Sequence, residues 1–314
     1  LSMNADGTVV AVATNDYVQA YRFTSGEWMK KGSSIYREAS NDYTNAIALS
    51  LDGNVLAIGA YQNDGGGNNA GHVRVFGYTL SAGWTQWGDD LDGSSANDQF
   101  GSAVALNGNG SILAVGARLD DVDDSSDTME GSVKIYSKTV NASGTISWTQ
   151  KGSTLFGEQS NNYFGSIISL DSEGTLLGAV SNDYLYLFHW ENNVWNTLID
   201  RMNESRSIGL SIDGTSFISG NYGFDNYKGK ASIYTTIDLI NDIPTANQYE
   251  TATKKNTQAS IFLTGSDPEN DILSFQLNQT ATHGTVTISG TTAVYTPNAD
   301  FVGNDSFTFY ASDG

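Results

Sequence analysis

Short segments in which apolar and polar residues alternate recur along the first 240 residues, and the clearest is the segment 100–117. It reads FGSAVALNGNGSILAVGA. Apolar residues alternate with small ones up to Leu106 and return from Ile112 onward, which is the period-2 pattern of buried strands. Residues 107–110 are rich in Asn and Gly, which tolerate the positive φ of hairpin turns. The segment therefore predicts two antiparallel strands joined by a tight turn.

The same strand pair recurs at four other places, and further strand-like segments follow it. The other copies are residues 1–14, 45–60, 164–180 and 207–221. The predicted third strands are residues 17–23, 71–78, 131–138, 184–190 and 230–236. The predicted fourth elements are residues 27–35, 83–91, 147–155 and 194–200. A repeat of this size cannot bury its own apolar face, so the copies must pack on one another. Four short strands in a unit of about 40–65 residues are typical of a β-propeller blade.

Five units are visible, and the first and last are incomplete. The first lacks most of its opening strand, and the last lacks a Trp-bearing fourth strand. Propellers avoid an exposed edge by lending a terminal strand to the far blade, so we expect residues outside this sequence to supply it. We therefore expect six or seven blades in the intact protein. A tryptophan recurs at one position of the repeat, and we predict that it packs in the fold rather than binding a ligand. These residues are Trp28, Trp84, Trp148 and Trp195.

The pattern changes near residue 240. Residues 241–246 read NDIPTA, and the following segments alternate between strand-like runs and turns at DPEND, SGTT and NADFVGND. This pattern is typical of an antiparallel β-sandwich. We therefore predict an all-β chain with two domains, a propeller over residues 1–240 and a sandwich over residues 241–314.

The first region resembles the FG-GAP repeats of integrin-α-like propellers, in the versions found in secreted proteins of marine microbes and algae. The matching residues are Phe100–Gly101 and Phe164–Gly165 at strand starts, with Gly59–Ala60 and Gly116–Ala117 at strand ends. Integrin-type blades carry a DxDxDG calcium loop, which is shortened here. Asp52, Asp171 and Asp213 are too few to surround Ca²⁺, which takes six to eight oxygens, so these loops are predicted to be plain turns.

The C-terminal region resembles the cadherin-like, Ig-like tandem modules of bacterial and algal surface proteins. The residues that carry this resemblance are DPEND (267–271), HGTV (283–286), YTPN (295–298), Phe301, Gly303, DSF (305–307) and DG (313–314). Such modules occur in tandem, and calcium at their junctions stiffens the rod. The resemblance therefore implies an extracellular or cell-surface chain that continues beyond residue 314.

Charge and cysteine content narrow the possible partners. The net charge is −20 and the sequence pI is about 4.2. Such a surface repels phosphate backbones, which argues against nucleic-acid binding. The chain has no cysteine, so it forms no disulfide. No apolar run approaches the length of a membrane span, and residues 1–20 show no signal-peptide pattern.

Two groups of carboxylates are candidate cation sites. In the first, alternating carboxylates on a turn place several oxygens on one side, which suits calcium; the alternative is a solvated acidic turn. Its residues are Asp242, Asp267, Glu269, Asp271 and Asp313. The second is an acidic run, for which a solvated, mobile loop is the preferred interpretation over a metal site. Its residues are Asp120, Asp121, Asp123, Asp124 and Asp127.

The sequence offers little for catalysis. His72, His189 and His283 lie on predicted strands or turns, and no serine has a nucleophile-elbow setting. A glycosidase remains an alternative, because its two catalytic carboxylates need only be close in space and show no fixed sequence spacing. Sequons for glycosylation are predicted at Asn109, Asn141, Asn203 and Asn278, with Asn304 a poorer candidate inside the sandwich motif.

Three functions remain. The first is a non-catalytic extracellular scaffold or adhesion protein, a segment of a larger surface or filament protein that binds other protein modules or copies of itself. The second is a carbohydrate-binding propeller, in which exposed aromatic residues grip a glycan. Its candidate residues are Tyr61, Tyr163, Tyr222 and Phe224. The third is an enzyme with a propeller-centred active site. The first is preferred.

Overall fold

A computed structural model describes residues 1–40, 42–122, 128–182, 184–203, 206–236, 244–267 and 272–313. The chain divides into two compact units, Leu1–Thr236 and Ile237–Gly314. Apart from one four-residue helix, the regular structure of the described residues consists of β-strands. The prediction of an all-β chain is therefore confirmed.

The first unit contains five successive antiparallel sheets, which we call blades 1 to 5. Blade 1 comprises β1 (Ser2–Met3), β2 (Val9–Ala13), β3 (Tyr17–Thr24), β4 (Glu27–Lys30) and β5 (Ile35–Tyr36). Blade 2 comprises β6 (Ala46–Leu49), β7 (Val55–Ala60), β8 (His72–Thr79), β9 (Gly83–Gln86) and β10 (Leu91–Asp92). Blade 3 comprises β11 (Phe100–Leu106), β12 (Ile112–Ala117), β13 (Ser132–Val140), β14 (Ile146–Gln150) and β15 (Leu155–Phe156). Blade 4 comprises β16 (Ile167–Leu170), β17 (Leu176–Val180), β18 (Tyr184–Glu191) and β19 (Val194–Asn203). Blade 5 comprises β20 (Ser207–Leu210), β21 (Ser216–Asn221), α1 (Phe224–Tyr227) and β22 (Lys230–Thr235).

Within each blade the first strands pair in chain order, but the fourth element differs from the prediction in blades 1 to 3. The sequence predicts one segment, whereas the structure shows two short strands that both pair with the third strand of the blade. The break falls at Gly32, Gly88 and Gly152, whose φ values are 73°, 82° and 80°. Glycine adopts this left-handed conformation without steric cost and turns the chain. Blade 4 has no glycine in this segment, and β19 runs unbroken.

The turn between the first two strands of a blade is held by an acidic or amide side chain. Asn107 accepts hydrogen bonds through Oδ1 from the amides of Ser111 and Ile112, at 2.9 and 2.8 Å. Asp213 accepts through one oxygen from the Ser211 hydroxyl and from Thr215, and these bonds lower the pKa of the Asp213 carboxyl. These loops are turns, as the sequence predicts, and the Asp213 carboxylate caps its turn.

Consecutive blades are joined through these same turns by backbone hydrogen bonds. The amide of Ala5 donates to the carbonyl of Leu51, and the amide of Leu51 donates to the carbonyl of Gly108. Gly108 in turn donates to Ser172, and Ser172 donates to Ile212. One residue of every turn is therefore linked to the equivalent residue of the next. Contacts between the first strands of successive blades show that these strands form the adjoining edge of the array.

The hydrophobic core of the first unit lies between the sheets. Val9, Leu56 and Phe76 belong to one buried cluster that blades 1 and 2 share. A second cluster joins blades 2 and 3, and a third joins blades 3 and 4. In each of these three clusters a blade buries apolar side chains against its neighbour, as expected for a propeller array.

The repeated tryptophans link each blade to the one before it. The indole Nε1 of Trp84 donates to the carbonyl of Lys31 at 2.8 Å. Trp148 donates in the same way to Trp87 at 2.9 Å, and Trp195 to Lys151 at 3.1 Å. These residues are packing residues, and each bond crosses from one blade to the preceding one. Trp28 of blade 1 is 48% exposed.

Glycines near the end of the second strand of blades 2 and 3 lie against the backbone of the next blade. Gly59 and Gly116 lie near the ends of β7 and β12, and each faces the backbone of the Phe-Gly pair that begins the next blade. A Cβ on Gly59 would lie 2.1 Å from the carbonyl oxygen of Gly101, and one on Gly116 would lie 2.0 Å from that of Gly165. Both distances are far below a van der Waals contact. The blades can therefore pack this closely only because these two residues have no side chain.

Lys31 places an ammonium group at the boundary between blades 1 and 2. Its Nζ donates to the carbonyl of Gly53 and to Oδ1 of Asn54, and it lies 4.5 Å from the ring centroid of Tyr78. Desolvation, aided by the charge of Arg22, lowers the pKa of Lys31 from 10.5 to about 8. The folded protein therefore releases this proton at a lower pH than the unfolded chain.

This shift predicts a pH dependence of stability. Between pH 8 and 10.5 the unfolded state binds more protons at Lys31, so its contribution to the free energy of unfolding rises with pH through that window. Compared with wild type, Lys31→Met should show a flatter dependence of the urea midpoint between pH 8 and 10. Lys30→Met, which alters the exposed neighbouring lysine, is the control and should follow the wild-type profile. Parallel profiles for Lys31→Met and wild type would contradict the prediction.

The second unit is an antiparallel sandwich. Its strands are β23 (Thr245–Ala246), β24 (Ala259–Phe262), β25 (Gly265–Ser266), β26 (Ser274–Gln279), β27 (Gly284–Ser289), β28 (Thr292–Pro297) and β29 (Thr308–Ser312). One sheet has the order β24-β28-β27, and β26 pairs with β29. Buried residues from both layers, including Ile261, Phe275 and Ala293, form one core. His283 stacks on Phe301 with ring centroids 4.4 Å apart, which gives the histidine of the HGTV segment a packing role.

Candidate functional site

The structure describes two of the five residues of the predicted calcium group. Asp267 is buried, and Asp313 is half-buried. The other three, Asp242, Glu269 and Asp271, lie outside the described residues. Calcium binding by this group therefore stays a prediction.

The second acidic group begins as part of the folded blade. Asp120 is 4% exposed and accepts a hydrogen bond from the hydroxyl of Ser132, and its carbonyl accepts one from Gly131. Asp121 accepts from the amide of Met129. The expectation of a solvated loop is therefore wrong for Asp120, because this carboxylate anchors the chain at the start of β13. Asp123, Asp124 and Asp127 lie outside the described residues.

The four favoured sequon asparagines are all exposed. Asn109 and Asn141 lie in hairpin turns, where their Oδ1 atoms cap backbone amides. Asn203 ends β19, and Asn278 lies on β26. Their exposure is compatible with glycosylation, which stays a prediction.

Three of the four candidate glycan-binding aromatics contact cations of this chain. The guanidinium of Arg118 lies 5.6 Å from the ring of Tyr61, and that of Arg206 lies 5.2 Å from Tyr222. Lys230 lies 5.3 Å from the ring of Phe224. Phe224 also lines a pocket of about 50 Å³ on blades 4 and 5, well below the roughly 300–1,000 Å³ typical of small-molecule sites. Local packing, the alternative to sugar binding for such residues, accounts for these three contacts.

One cluster of potential metal ligands, Glu38, His72 and Asp90, brings together residues far apart in the chain. Glu38 follows β5, His72 begins β8, and Asp90 precedes β10. The Nδ1 atom of His72 lies 3.8 Å from Oε2 of Glu38 and 3.9 Å from Oδ2 of Asp90. One ligand atom from each residue lies within 4.8 Å of the other two. The His72 side chain is 2% exposed, whereas both carboxylates reach solvent.

The second oxygen of each carboxylate has its own partner. Arg74 donates through Nη1 to Oε1 of Glu38 at 3.1 Å and through Nη2 to the carbonyl of Tyr36 at 2.9 Å. Gln86 donates through Nε2 to Oδ1 of Asp90 at 2.6 Å. These bonds orient the carboxylates so that Oε2 and Oδ2 face His72.

The charges around His72 oppose one another. Burial lowers the pKa of the imidazole, and Arg74 lowers it further, whereas Asp90, Glu38 and Asp42 act to raise it. Burial prevails, so His72 is neutral at pH 7 and retains a nitrogen lone pair. From the sequence, His72 was predicted only to lie on a strand or turn. The acidic pair before β10 was a possible signal, but nothing in the spacing linked it to His72 or Glu38.

Comparison with known families identifies a domain in each unit. Residues 91–136 match the FG-GAP repeat, and residues 241–314 match the bacterial Ig domain. No match to a curated protein was found. Among solved structures, hydrazine synthase of Kuenenia stuttgartiensis is 14% identical, with a TM-score of 0.47, over 74% of this chain and 70% of that one. A putative 6-phosphogluconolactonase of Bacteroides fragilis is 14% identical, with the same TM-score and coverage.

These domain types agree with the predicted fold and its order along the chain. FG-GAP repeats form propellers, and a bacterial Ig domain fits the C-terminal sandwich. Both are typical of extracellular or surface proteins and of adhesion or structural modules. Within the described part of the chain, the structure contains no helix with the length and apolarity that a membrane crossing needs. The protein thus carries an FG-GAP repeat in its β-propeller unit and a bacterial Ig domain in its C-terminal sandwich.

Proposed function

We propose that this protein is a non-catalytic extracellular module of a larger surface or filament protein and acts through protein–protein contacts. The observation that carries the proposal is the succession of an FG-GAP repeat and a bacterial Ig domain in one chain. Both are repeat-type or Ig-type domains, which are typically non-catalytic. Its partners are other protein modules or copies of the same protein.

We expect a partner blade, from further repeats of the same protein or from another copy, to pack on the exposed aromatic face of blade 1. Trp28 and Phe23 form an aromatic pair with ring centroids 5.4 Å apart, and both are more than 40% exposed. Met29 beside them is 59% exposed. In blades 2 to 4 the equivalent tryptophans donate to a preceding blade. By analogy with those tryptophans, the proposal assigns Trp28 to the contact with such a blade.

Bead aggregation tests this function. Beads coated with the purified chain should aggregate with one another, and Trp28→Ser should reduce the aggregation several-fold because it removes an apolar anchor. Leu80→Ser, at a residue that is 90% exposed and lies in the β8–β9 turn, is the control and should leave aggregation unchanged. Dispersed wild-type beads together with saturable binding on a glycan array would overturn the proposal in favour of a carbohydrate-binding module.

Calcium and glycosylation belong to the same proposal. A cation at the acidic residues around Asp267 would neutralise part of the strong negative charge of the chain. Glycans on the exposed sequons would suit an extracellular location.

A further inference from the structure

The Glu38–His72–Asp90 cluster has features that a plain polar network lacks. His72 is buried, and within the described residues its imidazole makes no hydrogen bond. Two carboxylate oxygens face its Nδ1 atom at 3.8 and 3.9 Å, beyond hydrogen-bond distance. Three potential ligand atoms thus lie within 4.8 Å of one another, and His72 makes no hydrogen bond to either carboxylate.

We propose that Glu38, His72 and Asp90 bind a divalent transition-metal ion, for which zinc is the best match. Zinc takes imidazole nitrogen and carboxylate oxygen, and open zinc sites use three protein ligands and a water molecule. Calcium and magnesium prefer sets made only of oxygen ligands, which a buried imidazole does not provide. The site is distinct from the acidic residues of the second unit.

The spacing of the ligand atoms fits such an ion. Ligands about 2.0–2.1 Å from a tetrahedral zinc lie roughly 3.3–3.5 Å apart. The distances from His72 Nδ1 to the two oxygens exceed this spacing by only a few tenths of an ångström. Small rotations of Glu38 and Asp90, both of which reach solvent, would close the gap.

The surrounding groups support the ligands in the way that outer partners support known metal sites. Arg74 and Gln86 each hold one carboxylate oxygen and leave the other directed at His72. Such hydrogen bonds orient ligands and raise metal affinity. The nearby carboxylates of Glu38, Asp90 and Asp42 outnumber the one guanidinium of Arg74, so the local charge favours a divalent cation.

Metal binding would connect two parts of the propeller unit. Glu38 lies in the connection from β5 of blade 1 to blade 2, whereas His72 and Asp90 belong to blade 2. An ion bound by all three residues would fix this connection to the third strand of blade 2. Because the ion binds only the folded state, it would also raise the melting temperature.

Calorimetric titration of the tag-free chain with ZnCl₂ tests the proposal. One zinc ion should bind per chain, and the melting temperature should rise by several degrees at a hundredfold excess of zinc over its dissociation constant. CaCl₂ at the same concentration should produce a much smaller shift of the propeller transition. Cobalt(II) substitution should give the visible absorption bands of a low-symmetry site with nitrogen and oxygen ligands.

Matched variants locate the ion. Asp90→Asn should weaken zinc binding at least tenfold, whereas Asp89→Asn, at the exposed neighbouring carboxylate, should leave it unchanged. Glu38→Gln should act like Asp90→Asn, because each replaces a carboxylate with an amide whose oxygen can still accept from Arg74 or Gln86. Absence of zinc binding by the folded wild-type chain, or equal binding by wild type and Asp90→Asn, would overturn the proposal. Neither result affects the adhesion function, which the bead assay tests separately.

Discussion

Gly116→Ala should lower the free energy of unfolding of the propeller unit by at least about 3 kcal/mol. The added Cβ would lie 2.0 Å from the carbonyl oxygen of Gly165 and 3.4 Å from the side chain of Ala103. The first of these is a backbone atom at the start of the next blade, so blades 3 and 4 must separate to relieve the clash. Separation also weakens the buried cluster that these blades share.

A urea or thermal unfolding transition measures this loss. Gly223→Ala is the matched control, because Gly223 has an ordinary φ of −83° and its nearest neighbour would lie 3.4 Å from the new Cβ. This control should change stability by less than about 1 kcal/mol. If Gly116→Ala were as stable as wild type, the close approach of the two blades would not exist in solution.

Two other blades of this chain have a larger residue at the position of Gly116. Ala13 and Val180 occupy the place of Gly116 in β2 and β17, by strand register. Neither β6 nor β20, the first strands of the blades that follow, is preceded by a Phe-Gly pair. In blades 2 and 3 the strand-end glycine therefore accompanies a Phe-Gly pair at the start of the next blade, where a Cβ would clash with its backbone.

Trp195→Ala should destabilise the propeller unit by about 3–5 kcal/mol, the range for truncating a large buried aromatic side chain. Trp195 is 7% exposed and packs in the cluster between blades 3 and 4. Its indole donates to the carbonyl of Lys151, and the Lys151 ammonium lies 5.4 Å from its ring. Truncation leaves a cavity and removes both contacts across the blade boundary.

Two further variants separate the effect of the hydrogen bond from that of burying the apolar ring. Trp195→Phe retains most of the apolar volume but removes the hydrogen bond, so it should cost about 1–3 kcal/mol. Trp28→Ala changes the equivalent but half-exposed residue and should cost less than about 1 kcal/mol. Equal losses for Trp195→Ala and Trp28→Ala in chemical unfolding would show that the repeated tryptophan does not join blades.

The sequence predicted the repeat and its strands well because these depend on local patterns. Alternating apolar residues, the Asn- and Gly-rich turns and the recurring tryptophan all identify the blade without knowledge of its neighbours. The family resemblance likewise placed an FG-GAP repeat before an Ig-like domain, and both are confirmed. The division of the fourth element at Gly32 was missed, because a single glycine in a short polar segment gives no clear strand boundary.

The candidate site was beyond reach of the sequence. Asp120 is one of several similar acidic residues in the chain, and only its burial beside Ser132 distinguishes it. His72 is separated from Glu38 by more than 30 positions, with a complete strand pair between them. No local spacing rule covers ligands that come from a connecting loop, the start of β8 and the loop before β10.

The amino-acid sequence by itself determined that the chain forms β-strand repeats followed by a sandwich, since hydrophobic period and turn chemistry act within a few residues. Only the tertiary structure decided which groups meet between blades: the glycine at a strand end with the next Phe-Gly pair, the indole with the preceding carbonyl, and His72 with two carboxylates. These contacts between blades depend on how far one sheet is offset from the next. That offset is set by the packing of whole sheets, which no single repeat encodes.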